Sequence, residues 1–281
     1  MPNVAIVTDS ASDLPPDVAA RDGITVVPLA VSFGPESFRS GVNMTTDEFW
    51  ARMTAPDAPF PTTAAAAPGD FKLAYENAFR SGADAVVCVT VSGDLSGTLK
   101  AAQVGAQQLE GRDIRIIDSR TASMGHGMLA QIGARMGRAG ASADEIERTL
   151  EETKQRITLY IGLDTLEYLK RGGRISGARA AVGTMLSIKP IITVENGIVE
   201  NADRVRTRAK ARERVLELLT EKPLEQASIL HTTHADVEEF TARFQERSGL
   251  PSDKIQVMAV GPSVGPHLGP GCVGGVVIMK A

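Results

Sequence analysis

Residues 83–98 read ADAVVCVTVSGDLSGT, and this stretch decides the fold class. Residues 83–91 are mostly apolar and rich in valine, which is typical of a strand buried on both faces. A loop with two glycines follows, and a helix is predicted from about Ser96 to Leu109. The run DIRIID at 113–118 is the next predicted strand. Two strands separated by a helix predict a parallel α/β sheet.

The same order of elements opens the chain. NVAIVTD at 3–9 and ITVVPLAVSF at 24–33 are predicted to be buried strands with a helix between them. Asp13 stands ahead of two prolines and is interpreted as the cap of that helix. The sequence therefore predicts a mainly parallel sheet in an N-terminal α/β domain, residues 1–155.

Three further helices are predicted in this domain. One covers 46–53, where two acidic residues favour a first turn, and two others cover 122–138 and 143–155. Ser142 and Glu145 have the spacing of a capping box at the start of the last helix.

The pattern changes at residue 156. A hairpin signal, ENG at 195–197, lies between two short predicted strands and indicates antiparallel pairing. We therefore predict a second α/β domain, residues 156–281, with a mixed sheet. Its predicted strands are 157–162, 188–194, 227–232, 254–260 and 273–279, and its predicted helices lie within 163–174 and at 206–221 and 235–248.

Composition excludes several classes of function. The formal net charge is −4 and aromatic residues make up 4%, so the chain has little with which to neutralise phosphates or stack bases, and nucleic acid is excluded as a partner. No apolar run approaches the length of about 18 residues that spans a bilayer, so no stable membrane insertion is expected. We expect a soluble, cytoplasmic protein. His231 and His234 lack a nearby third ligand, so no metal site is expected.

Four loops could form a site, because ligands bind at the carboxyl ends of strands in open α/β sheets. They are residues 8–15, 61–71, 92–98 and 261–275. Ser96 could be a helix cap, an anion ligand or a nucleophile. It lacks the flanking glycines of a nucleophile elbow, but chain order still allows Ser96, Asp164 and His267 as a triad. A serine hydrolase acting on lipid esters is therefore the alternative.

Two groups of basic residues stand out in this acidic chain. Such a run is usually a solvated helix face, and a docking surface for an acidic partner is the other interpretation. The groups are Lys170, Arg171, Arg174 and Arg179, and then Arg204, Arg206, Arg208, Lys210, Arg212 and Arg214.

Taken together, the loops resemble those of the DegV family of bacterial fatty-acid-binding proteins. The matching segments, in the family's order from residue 8 to about 275, are DSASDLP, PTTAAAAPGDF, SGDLSGT, DSRTASMGHG, LEYLKRGGRI, KPI and GPHLGPGCVG. The resemblance implies a two-domain α/β fold with a long-chain fatty acid buried in a tunnel. It also implies a non-catalytic subunit without a cofactor, which presents the carboxylate to a separate fatty acid kinase. That kinase makes an acyl phosphate for phospholipid synthesis.

The resemblance also implies which residues bind. Thr63 matches the threonine of the first loop, Ser96 and Gly97 match the Leu-Ser-Gly-Thr loop, and His267 matches the histidine before Gly-Pro-Gly. These residues are expected to hold the carboxylate.

The resemblance further places Arg174 and Arg206 on the side that faces the kinase. One departure stands beside these matches, because the family's Ser-Gln-Pro-Ser after the threonine is here the tetra-alanine 64–67. This change removes polar groups from the loop.

Overall fold

The computed structural model describes residues 2–175, 188–232 and 236–281. Its first sheet has four parallel strands in the spatial order β2 (Ile24–Val27), β1 (Val4–Asp9), β6 (Ala85–Thr90) and β7 (Asp113–Asp118). Every residue of β6 is buried, because helices cover both faces of this sheet. The predicted parallel sheet is confirmed.

Five helices pack on the first sheet. One face is covered by α5 (Met124–Arg138) and α6 (Ala143–Lys154), and the other by α3 (Pro68–Arg80) and α4 (Thr98–Gln107), while α1 (Pro16–Asp22) packs on β2 and α5. The capping box at the start of α6 is confirmed, with both of its hydrogen bonds present. Helix α3 is absent from the prediction, because the prolines and alanines before it were interpreted as irregular chain.

A second, small sheet is antiparallel, in the order β4 (Glu36–Arg39), β3 (Ala30–Phe33) and β5 (Thr62–Ala64). It packs with α2 (Thr46–Met53), the predicted helix, through a cluster that includes Phe33 and Phe49. The single strand predicted over 24–33 is wrong, since it divides into β2 and β3. Pro28 follows β2 and has no N–H to donate to a ladder, which ends the pairing there.

The cap predicted at Asp13 is wrong, and of the alternatives for Ser96 the N-cap is not the one observed. Helix α1 begins three residues after Asp13, whose carboxylate instead accepts hydrogen bonds from Ser123 Oγ at 2.6 Å and Gly261 N at 2.8 Å. The prolines at positions 15 and 16 offer no N–H for Asp13 to accept. Helix α4 has Gly97 as its N-cap, so Ser96 lies one residue outside the cap position.

The third sheet is mixed, as predicted, and its six strands all come from the C-terminal part of the chain. Of its described strand pairs, β11 (Leu224–His231) with β12 (Ile255–Ala259) is parallel and the others are antiparallel. The full order is β10 (Ile198–Val205), β9 (Lys189–Glu195), β8 (Ile157–Gly162), β13 (Val273–Met279), β11 and β12. The α-helices described in this part are α7 (Glu167–Arg171), α8 (Arg208–Leu219), α9 (Val237–Ser248) and α10 (Gly265–Leu268).

The predicted hairpin between β9 and β10 is confirmed and joins the two large sheets. Asn196 and Gly197 both have positive φ, 51° and 86°, as a tight turn between antiparallel strands requires. The carbonyl of Gly197 accepts a hydrogen bond from Ser92 Oγ at 2.7 Å, and the Asn196 carbonyl accepts one from Arg120. The tip of the hairpin therefore rests on loops at the carboxyl edge of the first sheet.

One hydrophobic cluster contains side chains from both large sheets, including Ile6 of β1 and Ile161 of β8. The division into domains 1–155 and 156–281 stays a prediction. Arg179, His234 and the predicted helix start at 235 lie outside the described residues. Among the helices of the described ranges, none combines the length and the apolar character needed to cross a membrane.

Candidate functional site

A cavity lies between the carboxyl edge of the first sheet and one face of the mixed sheet. The space between its lining atoms is about 700 Å³ when the part open to solvent is included, so the closed part is smaller. The N-terminal wall comes from the segments that follow β1, β6 and β7, with Ala11, Val91, Leu95 and Ala122 among its side chains. Strand ends of a parallel sheet meet at one edge, and this places the cavity there.

The opposite wall is apolar because alternate residues of neighbouring strands face the same side. Leu159 and Ile161 of β8 stand beside Ile192 and Val194 of β9, and Val199 of β10 continues the surface. Four of these five side chains are buried, and Val194 is half-buried. Such a wall can pack against a hydrocarbon chain, and its side chains have no hydrogen-bonding groups.

Several polar side chains line the same cavity, Ser123 and Ser263 among them. Thr63, Ser96, Arg174 and His267 all line it. Thr63 Oγ1 lies 2.9 Å from His267 Nε2, although the two residues are 204 positions apart in the chain. The structure thus brings together three of the predicted ligand residues, and Arg174 joins them.

His267 is presented by the single turn of α10. Burial, followed by the positive charge of Arg174, lowers the pKa of His267 from 6.5 to about 4, so the imidazole is neutral near pH 7. Its Nδ1 is buried and makes no hydrogen bond with any residue that the structure describes. A Cβ on Gly172 would lie 2.1 Å from that Nδ1, so only glycine at position 172 lets the ring take this place.

Arg174 follows α7 and is half-buried. Its Nε donates to the Leu95 carbonyl at 3.1 Å, and its Nη1 donates to the Gly172 carbonyl at 2.6 Å. Two carbonyls fix the guanidinium but do not neutralise it. The arginine therefore brings a positive charge to the cavity beside the neutral imidazole.

Ser96 lies directly before the start of α4. Its Oγ is 2.8 Å from Thr98 Oγ1 and accepts a hydrogen bond from Thr98 N at 3.3 Å. Gly97 is exposed and is absent from the residues that line the cavity; a Cβ there would make an ordinary contact with Ala65. Ser96 thus offers a hydroxyl at a helix start, while a ligand contact of Gly97 stays a prediction.

The DegV family model, described as a family of uncharacterised proteins, matches residues 3–280 of this chain. The chain belongs to the DegV family. A DegV domain-containing protein of Caldanaerobacter subterraneus subsp. tengcongensis is 34% identical over 277 residues, which cover 98% of either chain.

Solved structures are similar over the full length. A DegV family protein from Thermus thermophilus, described for its fatty acid binding, has a TM-score of 0.90 at 34% identity and covers 99% of this chain and 100% of its own. DegV from Bacillus subtilis, described as a fatty acid binding protein, gives 0.86 at 29% identity with complete coverage of both. A stearic acid-binding protein from Eubacterium ventriosum gives 0.88 at 26% identity, covering 99% and 98%.

The tetra-alanine departure from the DegV pattern can now be located. Ala64 ends β5, Ala65 and Ala67 are exposed, and Ala66 is buried in the core beside α3. These four residues are absent from the set that lines the cavity. In this chain, residues 64–67 therefore add no polar group to the described cavity wall.

The triad that chain order allowed does not form among the described residues. Asp164 is held by Lys189 Nζ at 2.9 Å and by Arg208, and His267 contacts Thr63. Within the described ranges, Ser96, Asp164 and His267 make no hydrogen bond with one another. Among the described residues, the Ser96 side chain hydrogen-bonds only to Thr98 and to no base, so the hydrolase alternative lacks its geometry.

The two arginines predicted to face a partner differ in their surroundings. Arg206 is exposed and makes no hydrogen bond or ion pair within the ranges that the structure describes. Arg174 lines the cavity, which the sequence reasoning missed because the basic run around it is typical of a solvated helix face. A partner contact of either arginine stays a prediction.

Behind the N-terminal wall lies a buried group of titratable side chains: Asp9, Asp13 and His126. Burial raises the pKa of Asp13 to about 7, although the hydrogen bonds from Ser123 and Gly261 act in the opposite direction and lower it. Asp13 and Ser123 both have a φ of 54°, a backbone region that costs a non-glycine residue about 1–3 kcal/mol. Ser123 also lines the cavity, so this group reaches the site.

Proposed function

We propose that this protein binds a long-chain fatty acid in the cavity, with the tail along the apolar wall and the carboxylate at Thr63, Ser96 and His267. One observation carries the proposal: a single cavity combines a hydrocarbon-lined wall with a group of hydroxyl, imidazole and guanidinium side chains. The fatty-acid-binding DegV proteins that resemble this chain support it.

The energetics divide between the two parts of the ligand. Burial of a sixteen-carbon tail, at about 0.8 kcal/mol per methylene, contributes on the order of 11 kcal/mol before ordering costs. Each hydrogen bond to the charged head contributes about 1.5–3 kcal/mol. The tail therefore determines most of the affinity, while the head-group donors determine orientation. Arg174 supplies the positive charge that a buried carboxylate needs.

We further propose that the protein works in the cytoplasm, without a metal or cofactor, and presents the carboxylate to a separate fatty acid kinase. Two features support a carrier. Within the described ranges the Ser96 side chain is hydrogen-bonded to Thr98 and to no base, and the neighbouring Gly97 is exposed, so the head group lies near the surface. Arg206, exposed and without a partner in the described ranges, suits contact with an acidic protein surface.

The ligand is tested by native mass spectrometry of protein purified from its own host, which is expected to show a bound fatty acid. A control binder purified in parallel checks that the conditions retain lipid. Only apo protein beside a loaded control would contradict the proposal.

The head group is tested with Thr63→Val, which removes the hydroxyl but keeps the shape. Its neighbour Thr62 is exposed on the same strand, so Thr62→Val is the matched control. Thr63→Val is expected to weaken fatty acid binding by about 1–3 kcal/mol, or roughly 5-fold to 150-fold in Kd. Equal Kd values for the two variants would exclude Thr63 from the head-group site.

The partner is tested with Arg206→Ala. The expected result is unchanged fatty acid affinity and slower phosphorylation by the kinase, because exposed charges act mainly on association. Arg80→Ala removes an exposed charge on α3 and is the control. A loss of ligand in Arg206→Ala with normal kinase binding would contradict the docking assignment.

A further inference from the structure

The buried carboxyl of Asp13 contacts two parts of the cavity wall at once. Its Oδ2 accepts from Ser123 Oγ at 2.6 Å, and Ser123 lines the cavity. Its Oδ1 accepts from Gly261 N at 2.8 Å. The Gly261 carbonyl in turn accepts from Gly265 N at 2.8 Å, at the start of the turn that carries His267. Asp13 is thus hydrogen-bonded to a residue of the cavity wall, Ser123, and also to the loop that leads to His267.

Asp13 is buried, with 7% of its surface exposed, and water cannot screen it well. The titratable groups that face it are Asp9, from the end of β1, and His126, from α5. Asp9 accepts hydrogen bonds from Ala11 N and Val91 N, both at 2.9 Å, and lies 3.4 Å from His126 Nε2. Asp9 and His126 therefore form a neighbouring pair of their own.

The protonation state of Asp13 decides what Ser123 offers to a ligand. An ionised carboxylate only accepts hydrogen bonds, so it takes the Ser123 proton and leaves the serine oxygen as an acceptor toward the cavity. A neutral carboxyl has an O–H that can donate to Ser123 Oγ, which frees the Ser123 proton to point into the cavity. The neutral form also removes a buried negative charge close to an anionic ligand.

We propose that Asp13 couples fatty acid binding to the uptake of one proton, with the neutral carboxyl as the binding form. This inference rests on the proposed function. The pKa of Asp13, about 7, places its titration near neutral pH. His267 has a pKa of about 4 and does not change charge in that range. A bound carboxylate raises the pKa of Asp13 further, so affinity falls as pH rises above about 7.

The experiment measures the Kd of radiolabelled palmitate, kept below its aggregation concentration, from about pH 6 to about pH 8.5. In the unmodified protein, Kd is expected to rise by up to about tenfold per pH unit above the pKa of Asp13. Asp13→Asn is the test variant, since asparagine stays neutral and tolerates the positive φ. Its Kd is expected to change little with pH. Asp17→Asn removes an exposed carboxylate on α1 and should keep the pH dependence of the unmodified protein.

Calorimetry in two buffers of different ionisation enthalpy counts the protons directly. Above pH 7 the unmodified protein should take up nearly one proton per palmitate and Asp13→Asn none. Ser123→Ala is a second variant, which tests the coupling if Asp13→Asn fails to fold. It removes a hydrogen bond that lowers the pKa of Asp13, so the pH of the transition should move upward.

An Asp13→Asn protein with the pH profile and proton uptake of the unmodified protein would overturn the inference, as would an unmoved transition in Ser123→Ala. Absence of palmitate binding at every pH would instead contradict the proposed function. The two failures are therefore distinguishable.

Discussion

Replacing Gly172 by alanine is expected to weaken fatty acid binding, although Gly172 is not itself one of the residues proposed to contact the ligand. A Cβ at this position would lie 2.1 Å from Nδ1 and 2.9 Å from Cε1 of His267. Carbon atoms in contact are about 3.5–4.0 Å apart, so the ring must move by more than about 1 Å. The bond from Nε2 to Thr63 measures 2.9 Å and is lost beyond about 3.5 Å.

The displaced ring also leaves the proposed carboxylate site, and the size of the effect on binding follows from the contact it loses there. A buried polar group without its partner costs about 1–3 kcal/mol, which corresponds to an increase in Kd of roughly 5-fold to 150-fold. Gly69→Ala is the control, because a Cβ there meets no atom within 4 Å. Palmitate binding measured by calorimetry is the assay, with circular dichroism to check the fold.

A double variant separates this explanation from general damage. Once His267→Ala has removed the ring, Gly172→Ala should cost little more, because both changes act on the same contact. Unchanged affinity in Gly172→Ala, or full additivity in the double variant, would refute the reasoning.

Three other outcomes are expected. Ser96→Ala should still bind fatty acid, with an affinity lower by about 1–3 kcal/mol, and phosphorylation assays should show a larger fall because phosphoryl transfer depends on positioning. The pKa of His267 falls from 6.5 in the unfolded chain to about 4, so the unfolded state binds more protons between these values and stability decreases as pH falls. Urea titrations should show this loss, up to about 3 kcal/mol, in the unmodified protein but not in His267→Asn. Ser142→Ala breaks the capping box of α6 and should lower the free energy of unfolding by about 1 kcal/mol in the same assay, with unchanged ligand affinity.

Sequence patterns over a few residues predicted most helices and strands, because these elements form mainly through interactions between residues close in sequence. The buried strand β6 and the capped helix α6 both follow from periodicity and cap residues within a few positions. Errors arose where a partner distant in sequence decides the structure. Asp13 has the composition of a cap, but its carboxylate binds Ser123 and Gly261, which lie 110 and 248 positions away.

The candidate site, too, was predicted only where the sequence carries a recognisable pattern. The hydroxyl and imidazole ligands were predicted from a family resemblance carried by several loops together, because no single loop is specific. The apolar wall was missed, although Leu159 and Ile161 alternate along β8, since periodicity identifies a buried face without identifying what covers it. The close approach of His267 to Gly172 requires three-dimensional contact and has no local signal.

The proposed head-group site draws its residues from two parts of the chain, which the hydrogen bond between Thr63 and His267 joins. Thr63 and Ser96 precede the mixed sheet, whereas Arg174 and His267 belong to the part that forms it. A carboxylate bound by all four would act as a removable cross-link between these parts. At a hundredfold excess over Kd, a ligand adds about 2.7 kcal/mol to stability. Loading and unloading would then change how readily the two large sheets separate, so hydrogen exchange at the β9–β10 hairpin tip should report the occupancy of the cavity.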